Sequence, residues 1–143
     1  MPYYQINLKY YLGFIARITK DDVLNRVYGQ RTYFVELRRD WSKGIKLIFM
    51  KKTSSTGYFF VGSGIIDRIV NPDKLNSSEK MFCVKNNYYQ KIIFGQLTKY
   101  IPEINVELII RGNWKSFAML HGAHLSAPDV ENIECLSRVS IVL

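Results

Sequence analysis

The chain has 143 residues and is 48% hydrophobic, which fits one globular domain spanning residues 1–143 and excludes a disordered tail. Its net charge of +8 is distributed unevenly, because residues 1–60 carry +7 and residues 121–143 carry −2. A positive charge concentrated in this way favours a polyanionic partner. The alternative, a surface charged only for solubility, stays open at this point.

The sequence lacks several features that would place the protein in other classes. Its first residues, MPYYQINLKYY, are interrupted by polar side chains and do not form the apolar stretch of a secretory signal. Apolar runs elsewhere are too short to span a bilayer, so we expect a cytoplasmic protein without a membrane partner. Cys83 and Cys135 lie far apart with no His/Cys cluster around them, which predicts two buried free thiols rather than a zinc site.

The first third of the chain predicts a strand, a helix and a second strand. Residues 11–18 are rich in β-branched and aromatic side chains, as is typical of a strand. Thr19 and Asp22 have a spacing close to that of a capping box, so a helix is expected to begin here. Gly29 is placed to end this helix in a left-handed conformation, and the alternation over residues 32–38 predicts the next strand.

Three further regions contain strong strand or helix signals. The apolar run at residues 45–50 predicts a buried strand, and residues 58–70 predict a long strand. Gly62 and Gly64 indicate a bulge or a close backbone approach within it, because glycine weakens a strand. A final helix is expected to begin at residues 126–129, where proline and an acidic residue follow a serine.

The remaining elements are short. Residues 71–73 break the strand pattern, and residues 77–82 predict a helical turn. Further strands are predicted at three later segments, residues 89–97, 106–110 and 139–143. Five or more short strands with two or three peripheral helices predict an α+β fold, a small, mixed and partly closed β-barrel.

The segment Arg38-Arg39-Asp40-Trp41-Ser42-Lys43 combines cations with an indole in a predicted turn. Arginine binds phosphate bidentately, and a tryptophan face can stack on a nucleobase. The alternative is a solvated turn with Trp41 packed into the core. Lys51 and Lys52 are expected near this turn if the flanking strands form a hairpin, and otherwise mark an exposed strand end.

A second cluster combines aromatic and basic residues further along the chain. Its members are Arg111, Asn113, Trp114 and Lys115. Trp114 suits stacking on an unpaired base and Asn113 suits reading a base edge. Packing of Trp114 in the core and ordinary turn chemistry at Asn113 are the alternatives.

His121 and His124 are separated by three positions, which would place both imidazoles on one helical face. No Glu or Cys lies nearby at ligand spacing, so we expect pocket-lining or buried histidines rather than a metal pair.

Part of the chain resembles the ASCH group of the PUA-like barrels. In that group a helix runs into a Gly-x-Lys-x-x-Glu-x-Arg motif, followed by a Lys-Gly turn, a hydrophobic strand and a Val-Gly-x-x-x-Ile pattern. The corresponding positions are Gly29, Arg31, Glu36 and Arg38, with two extra residues between Arg31 and Glu36, then Lys43-Gly44, residues 45–49 and residues 61–66. A later stretch, residues 119–125, is similar in outline to archaeal uncharacterised PUA-like proteins.

The resemblance implies a barrel that binds RNA, a nucleotide or a modified base in a cleft beside it. Some ASCH-like proteins resemble amidohydrolases acting on acetylated cytidine, with a lysine and a threonine of the motif and a distant glutamate. Thr32 is present here, but Arg31 replaces the lysine. Arginine stays protonated and cannot serve as a general base, so we expect binding rather than catalysis.

Together these patterns predict a module that binds RNA or a nucleotide, with no cofactor and no metal. The expected phosphate contacts are Arg31, Arg38, Arg39, Lys51 and Lys52. Trp41 or Trp114 would stack on a base, and Glu36 would orient Arg38 or accept a hydrogen bond from the base. The alternative is a protein-interaction or self-association module whose ten tyrosines cover a contact surface.

Overall fold

A computed structural model describes residues 13–54, 57–110, 117–137 and 139–142. Within these residues the chain forms strands and α-helices in a mixed α+β arrangement. In chain order they are β1 (Gly13–Ile18), α1 (Asp21–Gln30), β2 (Thr32–Val35), β3 (Lys46–Ser54), β4 (Gly57–Val70), α2 (Ser77–Asn86), β5 (Gln90–Asn105), β6 (His124–Leu125), α3 (Ala127–Leu136) and β7 (Val139–Val142). Short 3-10 helices occur at Pro72–Lys74, Val106–Leu108 and Phe117–Leu120.

All of these strands belong to one sheet. Six of them pair in the order β2-β5-β4-β3-β1-β6, and β7 pairs with β5. β1 runs parallel to β3, whereas the other pairs are antiparallel. In the described part of the chain β2 and β6, the two ends of this order, do not pair. The sheet is therefore open by strand pairing, and the partly closed barrel stays a prediction.

Neighbouring residues of one strand point to opposite faces of the sheet. Both faces are buried, because the residues on each face belong to a hydrophobic core. Ala16 and Phe49 belong to a core that includes Val27 of α1. Ile15 and Ile48 belong to a second core that includes two residues of α3, Val130 and Ile133. Helices α1 and α3 thus cover opposite faces of the sheet.

Helix α1 forms where the sequence predicts it and begins within residues 19–22, but the predicted capping residue and the predicted end are wrong. The helix begins after Lys20, which makes no side-chain capping bond, rather than at Thr19. Gly29 lies inside the helix, and Arg31 takes the left-handed conformation with φ 56°. The Arg31 carbonyl accepts a hydrogen bond from the Phe94 amide at 2.9 Å, which ties this turn to β5.

The strand predicted at residues 32–38 is shorter than expected. It ends at Val35, which pairs with Gln90, the first residue of β5. Glu36 therefore has no strand partner and leaves the sheet. All four residues of β2 are buried, so both faces of this strand are covered.

The strand predicted at residues 106–110 does not exist, because β5 continues to Asn105 and a 3-10 helix follows. The Asn105 side chain accepts a hydrogen bond from the Glu107 amide at 2.9 Å, which favours this turn. The helical turn predicted at residues 77–82 is the start of α2, which continues to Asn86 and is capped by Asn76.

Several predictions are confirmed. β3 and β4 form where expected, and Lys43-Gly44 forms the turn before β3, with a φ of 94° at Gly44. Gly62 lies at a register shift between β4 and β5, and a Cβ there would overlap the Tyr28 hydroxyl and the Thr98 carbonyl. A Cβ at Gly64 would lie 2.6 Å from the Phe94 ring, so both glycines mark close approaches.

The start of α3 and the last strand also agree with the sequence. Ser126 accepts a hydrogen bond from the Asp129 amide at 3.3 Å and caps α3. β7 pairs with β5 at the predicted position. Of the two cysteines, Cys83 is buried as expected, whereas Cys135 is exposed. In the ranges that the structure describes, no helix has both the length and the apolar character needed to cross a membrane.

Candidate nucleic-acid interface

A cleft lies at the carboxyl ends of the parallel strands β1 and β3, where Ile18 pairs with Lys51. It consists of two adjacent pockets of about 210 Å³ and about 150 Å³, which share Arg17, Ile18 and Thr19 as lining residues. The larger pocket is further lined by Lys20, Val23, Tyr33, Phe34, Glu36 and Tyr88, and the smaller by Lys52 and Tyr58. We call this region the strand-end cleft.

Arg17 is the central residue of the strand-end cleft, because it lines both pockets. Its guanidinium carbon lies 5.9 Å from the centroid of the Tyr58 ring, and its Nη2 lies 3.5 Å from the Tyr58 hydroxyl. The Arg17 Nε is buried and has no hydrogen-bond partner among the described residues. A buried donor without an acceptor costs free energy. The part of the Arg17 side chain that lines the two pockets is available to an anionic ligand.

Glu36 and His121 form a hydrogen-bonded pair beside Arg17. The His121 Nδ1 accepts a hydrogen bond from the Arg17 amide at 2.9 Å, so the neutral ring carries its proton on Nε2. The His121 Nε2 lies 2.9 Å from the Glu36 Oε1 and donates to it. Because Glu36 follows β2 and His121 precedes β6, this pair joins the two ends of the sheet through side chains.

Two tyrosines supply aromatic surface to the cleft. Burial raises the pKa of Tyr33 far above its usual value, and the Glu36 carboxylate raises it further. Burial also raises the pKa of Tyr88, again with a contribution from Glu36. The Tyr88 ring lies 5.7 Å from the Phe34 ring. Both hydroxyls are therefore neutral at physiological pH, and the walls of the cleft are apolar with polar tips.

The rim of the cleft is positively charged. Lys20 and Lys52 are exposed, and within the described residues no carboxylate lies within 4.0 Å of either lysine or of Arg17. Lys51, next to them, is paired with Asp21 at 2.8 Å. Three cations without acidic partners create a local positive potential that attracts anions.

The residues predicted to contact nucleic acid separate into several places. Glu36 and Lys52 line the strand-end cleft, and Lys51 lies beside it. The expected hairpin between the strands flanking Trp41 does not form, because β3 pairs with β1 and β4 whereas β2 pairs with β5. Lys51 and Lys52 therefore lie at the far end of β3 from the Lys43-Gly44 turn.

The predicted arginines contact other parts of the protein. The Arg31 Nη1 donates to the Gly95 carbonyl at 2.9 Å. The Arg38 guanidinium lies 5.1 Å from the Tyr89 ring centroid, and the Arg39 guanidinium lies 5.2 Å from the Phe14 ring centroid. These three side chains do not line the strand-end cleft, although Arg38 lines a separate pocket next to α2.

Trp41 lies in the core, with 7% of its surface exposed. Its indole Nε1 donates to the Leu37 carbonyl at 3.0 Å, and its ring meets the Phe14 ring edge-on at 5.5 Å. In this conformation neither face of the indole is open to a base, which fits the alternative of a packed core residue. The second cluster, formed by Arg111, Asn113, Trp114 and Lys115, lies outside the described residues.

Lys43 lines a different pocket, on the turn before β3. This pocket of about 460 Å³ is lined by Lys43, Gly44, Ile65, Ile66, Asp67, Gly95 and Gln96, and we call it the Lys43 pocket. The side chain of Lys43 is 80% exposed, and its Nζ lies 3.8 Å from the Asp67 carboxylate. The local charge is thus partly neutralised.

The two histidines do not share a helical face as predicted. His121 follows the 3-10 helix Phe117–Leu120 in a turn with Gly122, whose φ is 80°, whereas His124 begins β6. His124 packs edge-on against the Phe14 ring at 5.2 Å. Across the described residues, no group of three or more His, Cys, Asp or Glu side chains is arranged to hold a metal ion.

Five residues of the cleft were not among those that the sequence patterns predicted to bind nucleic acid, namely Arg17, Lys20, Tyr33, Tyr58 and Tyr88. One signal was present, because Arg17 is the only charged residue of the otherwise apolar strand GFIARI. A cation in such a strand needs a local reason. The other residues lie near Arg17 only because β1 pairs in parallel with β3 and because of where β2 lies in the sheet.

Comparison with known protein families, with curated proteins and with solved structures finds no match to this chain.

Proposed function

We propose that this protein binds RNA or a nucleotide in the strand-end cleft. The observation that carries the proposal is the position of Arg17, which lines both pockets between the exposed Lys20 and Lys52, while among the described residues no carboxylate lies within 4.0 Å of these three cations. A phosphate supplies the acceptor that the guanidinium needs and the negative charge that the rim attracts. The ASCH-like, partly closed barrel is part of the same proposal.

The aromatic side chains of the cleft support a nucleobase as the second half of the ligand. Of the aromatic side chains that line the larger pocket, Tyr88 is half-buried, whereas Tyr33 and Phe34 are buried. An unstacked base is recognised by stacking on a ring such as that of Tyr88 and by hydrogen bonds to its edges. We therefore expect single-stranded RNA to bind more tightly than duplexes, whose bases are already stacked.

Neither alternative has a comparable observation behind it. In the described part of the chain every tyrosine is buried or half-buried, so these residues do not form the exposed tyrosine patch that self-association would use. An amidohydrolase of the ASCH type would need a general base at Arg31, whose guanidinium instead donates to the Gly95 carbonyl.

The proposal is tested by fluorescence anisotropy with short labelled single-stranded and duplex RNA and DNA at two salt concentrations. We expect salt-sensitive binding, because phosphate contacts release counterions. The double variant Lys20→Ala, Lys52→Ala should weaken binding and lower the slope of log affinity against log salt by about 2, or about 1 for each lost phosphate contact.

A matched control separates the cleft from the overall charge. Lys74→Ala with Lys85→Ala removes the same charge from exposed lysines outside the cleft, and it should leave the slope nearly unchanged. Equal losses in the two double variants would mean that binding depends on net charge alone. Absence of binding at low salt would refute the proposed function.

A further inference from the structure

We propose that Glu36, oriented by His121, selects guanine over the other bases in the strand-end cleft. This inference rests on the proposed function, because it assigns a base preference to the same site. Glu36 lines the larger pocket, next to the tyrosine walls that would hold a base.

The Glu36 carboxylate is not paired with a basic side chain of the cleft. It shares a pocket with Arg17 and Lys20, yet in the described part of the chain no Lys or Arg nitrogen lies within 4.0 Å of it. Its one side-chain hydrogen-bond partner there is the His121 imidazole at 2.9 Å. The side chain is 54% exposed, so the carboxylate stays accessible to a ligand.

The His121 imidazole orients the Glu36 carboxylate. The Arg17 amide donates to the His121 Nδ1, which places the ring proton on Nε2 and directs it at the Glu36 Oε1. Only 17% of the His121 side chain is exposed, so the ring is well enclosed. Among the described residues the second oxygen of Glu36 has no hydrogen-bond partner, and the first keeps a spare lone pair.

The four bases differ in the hydrogen-bond donors that they present to a carboxylate. Guanine presents two parallel donors, N1–H and the 2-amino group, which match the two oxygens of a carboxylate. Adenine and cytosine each present an amino group beside a ring acceptor, and the uracil imide N–H lies between two carbonyl oxygens that repel a carboxylate. Guanine is the base with which Glu36 forms two hydrogen bonds without repulsion.

Isothermal titration calorimetry of the unmodified protein with GMP, IMP, AMP and UMP at low salt tests the inference. These ligands share the phosphate and differ in the base edge. We expect GMP to bind about 5- to 150-fold more tightly than AMP or UMP, the discrimination usual for one bidentate contact to a base. IMP lacks the 2-amino group of guanine, so its affinity should lie between those of GMP and AMP.

A conservative variant assigns the preference to Glu36. Glu36→Gln keeps an acceptor for His121 but replaces one oxygen with a donor, which opposes the two donors of guanine. The preference for GMP over AMP should disappear, because the glutamine amide loses a match to guanine and gains one to the amino group and ring acceptor of adenine. Glu107→Gln, an exposed glutamate outside the cleft, is the control and should keep the preference.

The positioning role of His121 has its own readout, the ratio of GMP to AMP affinity. This ratio should fall in His121→Ala and partly recover in His121→Gln, whose amide N–H still donates toward Glu36. A purely structural role would change the melting temperature of both variants without changing the ratio.

The outcomes separate this inference from the proposed function. Equal affinity for all four nucleotides, or a GMP preference that survives in Glu36→Gln, overturns the inference and leaves nucleotide binding standing. Absence of binding by every nucleotide and oligonucleotide at low salt overturns both.

Discussion

The strand-end cleft and the Lys43 pocket show that pocket size and binding chemistry are separate properties. The Lys43 pocket is about twice as large, at about 460 Å³ against about 210 Å³ for the larger part of the cleft. Its cation is 80% exposed and lies 3.8 Å from the Asp67 carboxylate. In the cleft, Arg17 has a buried nitrogen that lacks a partner among the described residues.

The two regions differ in whether their cation already has a partner of opposite charge. An exposed lysine already has water and a nearby carboxylate, so a ligand anion gains little by binding it. The Arg17 guanidinium has no carboxylate within 4.0 Å among the described residues, so an anion adds a charge-assisted hydrogen bond. We therefore expect anions to bind in the strand-end cleft rather than in the larger Lys43 pocket.

The largest effect is expected at Trp41, because it anchors the segment that joins the two regions, from Glu36 in the cleft to Lys43 in the pocket. Trp41→Ala should lower the free energy of unfolding by about 3–5 kcal/mol, the usual cost of truncating a buried aromatic residue. Urea denaturation followed by circular dichroism measures this loss. If instead stability were unchanged and nucleic-acid binding lost, Trp41 would be a stacking platform rather than a core residue.

The second prediction compares Arg17→Met with Lys43→Met, each of which keeps the aliphatic part of its side chain. Arg17→Met should weaken oligonucleotide binding by about 1.5–3 kcal/mol, because it removes charged hydrogen bonds to phosphate. Its unfolding free energy should change little, because loss of the contacts with Tyr58 is offset by removal of a buried Nε–H that has no acceptor among the described residues. Lys43→Met should change binding little. Anisotropy titrations that rank the two variants the other way would assign binding to the Lys43 pocket.

The third prediction concerns alkaline pH and a tyrosine of the cleft. Burial raises the pKa of Tyr28, Tyr33 and Tyr100 far above the ordinary value of 10.0. Below pH 10 each tyrosine is neutral in both the folded and the unfolded chain, so the contribution of these neutral tyrosines to stability is fully present there. Above pH 10 the unfolded chain loses these protons first. The unfolding free energy should then fall by about 1.4 kcal/mol per pH unit for each tyrosine.

Tyr33→Phe should remove one tyrosine's share of that fall, which urea denaturation at pH 9, 10 and 11 measures. Parallel curves for the variant and the unmodified protein would show that Tyr33 ionises equally in both states. The Lys43 pocket has no tyrosine in its lining, so this alkaline sensitivity distinguishes the two regions.

The smallest effect per residue is expected for Arg38→Ala combined with Arg39→Ala. Both guanidiniums lie over aromatic rings, and such exposed contacts contribute about 0.5–1 kcal/mol each. The combined loss should be about 1–2 kcal/mol, which lowers the melting temperature by a few degrees. If these arginines add phosphate contacts outside the cleft, the double variant should also weaken RNA binding, measured by anisotropy. Unchanged binding would restrict recognition to the strand-end cleft.

Local signals in the sequence were enough to predict much of the secondary structure. Ser126 and the following proline start α3, because capping depends on residues a few positions apart. Gly62 and Gly64 marked close approaches within β4, because any side chain there meets a neighbouring group. The excess of positive charge in residues 1–60 likewise followed from composition alone.

The tertiary structure decided where the candidate site lies. The parallel pairing of β1 with β3 brings Arg17 and Lys52 to one cleft, and no local pattern encodes a pairing between segments some thirty residues apart. Packing against Phe14 buried Trp41, which the sequence presented equally well as a stacking surface. The hydrogen bond of Glu36 to His121 spans 85 positions. Contacts between distant segments depend on how all the strands pack together, whereas capping and turns depend on neighbours in the chain.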